Sequence, residues 1–115
     1  MSRTARDRIE GDPLSASLYA ALIQEVAQIG EHEIEEKLTS IHIVHGRAFL
    51  GVHPRKSALL VNIVLDHPLG SARLHRTEQV SAARWHHEIL LHSPAELDAE
   101  LVGWITAAYA LTTRP

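Results

Sequence analysis

Two stretches of this chain alternate apolar and other residues with a period of two, and they restrict the fold more than any other feature. Ile41 to Leu65 reads IHIVHGRAFLGVHPRKSALLVNIVL, and Arg84 to Leu91 reads RWHHEILL. Side chains alternate across a strand, so each run offers one face to a core and leaves the other free. A two-residue turn at His45-Gly46, with Gly46 at positive φ, predicts a hairpin in which Ile43 meets Ala48, Ile41 meets Leu50 and Thr39 meets Val52. That register puts Ser40, His42, Val44, Arg47, Phe49 and His53 on the opposite face. HPRK, residues 53 to 56, reads as the next turn. Ala58 to Leu65 follows as a strand, with Leu59, Val61, Ile63 and Leu65 on one side and Leu60, Asn62 and Val64 on the other.

A further strand around Leu74 to Val80 and a turn at Ser81 to Arg84 lead into the strand Trp85 to Leu91. Ser93, Pro94 and Glu96 form a capping-box pattern that predicts the start of a closing helix with Leu97, Leu101, Trp104, Ile105 and Ala108 as its apolar stripe. At the other end, Asp12 and Pro13 supply an N-cap and a first-turn proline. Leu14, Leu18, Leu22, Val26 and Ile29 recur at helical spacing, and Gly30 stands where a left-handed C-cap belongs. The acidic segment 31 to 36 links this helix to the sheet, with room to extend the first strand at its edge. Residues 1 to 11 alternate charges without periodicity and are expected to be a flexible tail, with 12 to 112 as a single domain. The expected class is α+β: an N-terminal helix, an antiparallel sheet of four to five strands and a C-terminal helix, both helices packed on one sheet face.

Composition narrows the function classes. At 115 residues without a cysteine, the chain can bury a core unaided, and it has no disulfide, thiolate nucleophile or cysteine-ligated zinc. Neither a signal peptide nor an apolar run of membrane-spanning length is present, so a cytoplasmic protein is expected, without a membrane partner. A net charge of −3 and only five aromatic residues weigh against a dedicated nucleic-acid binder. Nine histidines would carry the formal charge from −3 to +6 if all were protonated, so the surface potential should change sign in mild acid.

The run GRAFLGVHPRK, the alternating strand after it, RWHHEILL and SPAELDAELVGWITAAY together resemble the bacterial family of domains of unknown function numbered 5655, DUF5655, over residues 14 to 111. More distantly they are similar to the MmcQ/YjbR-like group, in which a tryptophan-led strand feeds a C-terminal helix ending near a tyrosine, here Trp85 and Tyr109. The resemblance implies an α+β fold. From the wider group it implies a winged, DNA-binding role, and from the family an accessory domain beside other modules. It transfers no catalytic residue and no cofactor.

Three readings of the surface follow. The face left free by the helices collects His42, Arg47, Phe49, His53 and Asn62, joined by His86 and Glu88, as a site for a ligand or a protein partner. Phe49, Leu60, Val64 and Leu90 make that face more apolar than solvation alone requires, which favours a binding or assembly module, a homodimer among its forms. Alternatively, Arg55, Lys56, Arg73, Arg76 and Arg84 act as phosphate-contacting tips of a winged nucleic-acid binder. Third, the histidines of the free face hold a divalent metal, although no metal motif of real specificity is present and no ligand set is assigned. Ser93 reads as a cap, His87 as a partly buried histidine bonded to backbone, and Trp85 and Trp104 as core anchors.

Overall fold

The computed structural model describes residues 3 to 113. Three helices and one short 3-10 turn accompany six strands: α1 (Ala5–Glu10), α2 (Pro13–Ile29), β1 (Glu33–Glu36), β2 (Ile41–His45), β3 (Arg47–Arg55), β4 (Ala58–Leu65), β5 (Arg76–Ser81), β6 (Arg84–Leu91) and α3 (Ala99–Leu111). The strands form one antiparallel sheet in the order β1-β2-β3-β4-β6-β5. The α+β class, the one-sided helix layer and the antiparallel sheet agree with the expectation, and the acidic segment adds a sixth strand at the β1 edge. No described helix is long and apolar enough to cross a membrane.

One core lies between the sheet and the helices. Ile41, Ile43, Leu50, Val52, Leu59, Val61, Ile63, Leu65, Ile89 and Leu91 face Leu18, Leu22 and Val26 of α2 and Leu101, Ile105 and Ala108 of α3. The segment expected to be a flexible tail contributes to it. Thr4 and Asp7 close a capping box, the Asp7 amide bonding to Thr4 Oγ1 and the Thr4 amide to the Asp7 carboxylate, both at 3.1 Å, and Ala5 and Ile9 are buried. Two apolar side chains four apart are enough to seat one and a half turns of helix once tertiary packing is available. Met1 and Ser2 of that segment lie outside the described residues.

The β2–β3 hairpin differs from the expected register. Gly46 does take a positive φ of 75°. However, Val44 pairs with Ala48 and Ile43 with Leu50, so Phe49 is an extra residue opposite no partner. A bulge of this kind breaks strict alternation locally. Phe49 and Leu50 are each 1% exposed and belong to the core, and Ile41 pairs with Val52. The next turn is Lys56-Ser57 rather than HPRK. Arg55 pairs with Ala58, and Pro54 lies inside β3 beyond the last β2 pair, where its missing N–H removes no rung of that ladder.

Helix ends also shift. Asp12 caps α2 as expected, accepting from the Leu14 amide at 3.3 Å. Gly30 is extended (φ 168°), not left-handed. Its requirement is close approach, because a Cβ there would overlap the ring and hydroxyl of Tyr109, which donates to the Glu31 carbonyl at 2.9 Å. The Glu96 carboxylate accepts from the amides of His92 (2.6 Å) and Ser93 (2.9 Å), but the box opens only the 3-10 turn. The helix itself starts afresh at Ala99, capped by Asp98, which accepts from the Leu101 amide at 3.0 Å.

Candidate binding face

Among the described residues, no helix covers the sheet face opposite α2 and α3. Its central row crosses all six strands, since Glu35 pairs with His42, His42 with Gly51, Gly51 with Asn62, Asn62 with Glu88 and Glu88 with Arg76. Flanking it are His53, Leu60 and Leu90 on one side and Val44, Val64, His86 and Glu78 on the other. Leu60 is only 4% exposed and Val44 8%, shielded by their neighbours on the sheet, whereas Val64 and Leu90 are half-buried.

The polar side chains of this face are incompletely paired. Asn62 Nδ2 donates to His86 Nδ1 at 3.2 Å, leaving Asn62 Oδ1 and His86 Nε2 without a partner among the described residues. Ser40 Oγ bonds to His42 Nε2 at 3.3 Å. Burial pushes the His53 and His86 imidazoles below their ordinary range; Arg55 adds to this at His53 and Arg84 at His86, while Glu88 opposes it at both.

Of the seven residues expected on this face, His42, His53, Asn62, His86 and Glu88 are there. Phe49 and Arg47 are not, because the bulge turns both toward the helices. Phe49 packs edge-on to Tyr109 (centroids 5.3 Å apart), and Arg47 Nη2 donates to the Leu111 carbonyl at 3.0 Å. His45 stacks on Tyr109 at 4.6 Å, and its Nδ1 lies 2.8 Å from Thr112 Oγ1. The three residues thus hold the end of α3 in place.

The five basic residues expected at phosphate-contacting tips do not share a surface. Arg73 bonds Asp98 (2.9 Å), Glu100 (2.9 Å) and the Glu96 carbonyl (2.9 Å) and sits 5.7 Å over Trp104, so it straps the β4–β5 connection to the start of α3. It also holds the Asp98 carboxyl below the usual carboxylate range. Arg76 pairs with Glu78 at 2.6 Å. Arg84 lies at the end of the sheet opposite Arg55 and Lys56, since Leu59 pairs with Leu91 and Leu65 with Trp85. Among the described residues no three His, Asp or Glu side chains gather closely enough to hold an ion, so the metal reading has no cluster to rest on.

A family model, Domain of unknown function (DUF5655), matches residues 6–112. The chain belongs to the DUF5655 family. The match takes in the whole sheet, α2, α3 and most of α1, so the N-terminal turn of helix is part of the DUF5655 unit. Searches of curated proteins and of solved structures each returned no match, and the wider likeness to the MmcQ/YjbR-like group gains no support from them.

In this DUF5655 domain His87 bonds to backbone as expected, though it is fully rather than partly buried, whereas a hollow beside β1 escaped sequence reasoning. His87 is fully buried and bridges elements, with Nε2 donating to the His67 carbonyl (3.0 Å) and Nδ1 3.2 Å from Thr77 Oγ1. A hollow of about 700 Å³ lies between the end of α2, β1 and the β2–β3 turn and includes His32, Glu33 and His45. No spacing pattern links those residues, because tertiary packing alone brings them together. Trp85 is half-buried and outside the core, and Trp104 packs on the core's margin under Arg73.

Proposed function

We propose that this DUF5655 domain is a binding and assembly module that pairs with a second copy through its open sheet face. The observation that carries the reading is the composition of the central row. Two copies laid face to face about a two-fold axis running along the strands, between β3 and β4, bring each row position opposite its mirror position. Glu35 then meets Arg76 of the second copy, His42 meets Glu88, and Gly51, which lacks a side chain, meets Asn62. Opposite charge at the rim and a gap opposite a side chain at the centre amount to self-complementarity of both charge and shape. Val64 and Leu90, both half-buried, supply the apolar contact.

The area sets the strength. Six strands about 4.8 Å apart, with central strands of eight or nine residues, present roughly 600 Å² per copy. The total of roughly 1,200 Å² is at the low end of specific interfaces, so association in the micromolar range is expected. Sedimentation velocity across a concentration series tests the reading. The wild type should move from monomer to dimer, and Val64→Arg, which places a charge on the half-buried outer face, should remain monomeric with unchanged thermal stability. A wild type that stays monomeric at millimolar concentration would refute the pairing.

A further inference from the structure

A second surface, at the tip of the β3–β4 hairpin, has a different chemistry. Arg3 and Arg8 from the N-terminal segment and Arg55 and Lys56 from the hairpin line one hollow of about 370 Å³, together with Gly11, Asp12, Pro54 and Ser57. Four cations from two distant parts of the chain therefore surround one concavity. The acidic groups nearby are already engaged. Asp12 accepts from the Leu14 amide (3.3 Å) and Ser15 Oγ (2.8 Å), and the Asp7 carboxylate accepts from the Thr4 amide (3.1 Å). Arg3 Nη2 donates to the Asp7 carbonyl (3.0 Å) and Arg55 Nη1 to the Pro54 carbonyl (3.0 Å), each leaving guanidinium donors over. Among the described residues none of the four cations has a carboxylate ion pair, in contrast to Arg6, Arg73 and Arg76. Gly11 makes the arrangement feasible, because a Cβ there would overlap Arg3 Nη2.

We infer that this hollow binds a compact polyanion, a linear chain of two or three phosphates such as pyrophosphate or the phosphate chain of a nucleotide. Guanidinium forks and an ammonium spaced around a pocket of this size match several phosphate oxygens at once. A long polyanion fits less well. The protein carries a net charge of −3, and among the described residues the other arginines and lysines are either ion-paired or at the far end of the sheet. The site is independent of the sheet-face pairing, since Arg3, Arg8 and Lys56 are not on that face.

The test is an amide-resolved NMR titration of the full chain with pyrophosphate at constant ionic strength, with sodium chloride as the reference addition. Saturable shifts confined to residues 3 to 12 and 54 to 58 are expected. In Arg8→Gln/Lys56→Gln, which alters only exposed side chains, affinity should fall about fivefold or more. The proposal is overturned by shifts that do not saturate, by shifts spread evenly over the surface, or by an equal response in the variant. It is equally overturned if duplex DNA binds at this tip while pyrophosphate does not.

Discussion

Replacing Phe49 distinguishes the bulged hairpin from a regular one, because the two place this ring on opposite faces of the sheet. In the bulged arrangement the side chain is 1% exposed, surrounded by core residues and edge-on to Tyr109 at 5.3 Å. Phe49→Ala then removes a buried ring and leaves a cavity, a change that costs about 3–5 kcal/mol in packed cores. The ring contact lies within that range and favours its upper half, since aromatic pairs contribute about 0.5–1.5 kcal/mol beyond their area. For a domain of this length such a loss lowers the melting temperature by roughly 10–20 °C and consumes much of a stability of about 5–15 kcal/mol. Urea unfolding followed by tryptophan fluorescence is the suitable assay, with Phe49→Leu as a milder companion expected to cost about 1–2 kcal/mol. A loss under about 1 kcal/mol for Phe49→Ala, typical of a surface site, would refute the bulge and return the ring to the open face.

Other perturbations have equally definite outcomes. Gly30→Ala should destabilise by about 1–3 kcal/mol, because its Cβ displaces Tyr109, and the cost in thermal melts should shrink in a Tyr109→Phe background, where the hydroxyl no longer clashes. Ser57→Gly should raise stability by up to about 1 kcal/mol by relieving a left-handed residue at φ 53° in the Lys56-Ser57 turn. Stability should fall as pH drops from about 7.5 to 5.5. Burial holds His53 and His86 below the ordinary imidazole range of about 6.5, so the unfolded chain takes up protons that the folded one refuses. The contribution is complete above the unfolded value and is lost progressively below it. Arg55 and His42 act on His53, and Arg84 and His87 on His86, in the same direction; Glu88 opposes at both and Glu78 at His86. A His53→Asn/His86→Asn double variant should flatten the melting temperature against pH over that window.

What the residues disclose in advance follows from the range of the interactions involved. Strands β4 and β6 were legible because a period of two, sustained for eight residues, has one burial solution. Helix α2 was legible because cap, proline and apolar spacing agree. The bulge at Phe49 was not, since a single inserted residue changes no composition and the alternation resumes on either side of it. That one residue moved Phe49 and Arg47 off the open face. Helix α1 was hidden by its charges, because Ala5 and Ile9 become an anchor only once β3 and α2 lie beneath them. The basic residues were visible as types, but their partners were not: Arg73 meets Asp98 and Glu100 across 25 residues and more of chain, and Arg3 and Arg8 reach the hairpin tip through packing alone. His42, His53, Asn62, His86 and Glu88 were placed correctly on the open face because strand alternation decides it locally.

The pairing of two copies through the open face is tested most directly by isotope-filtered nuclear Overhauser spectroscopy on a mixture of labelled and unlabelled protein at high concentration. Pairing of this kind requires intermolecular contacts from the methyl groups of Val64 and Leu90, and a contact between the Asn62 side-chain amide and the Gly51 α-protons of the other copy. Their absence from a sample whose mass is that of a monomer would contradict it, as would intermolecular contacts that involve the helices instead.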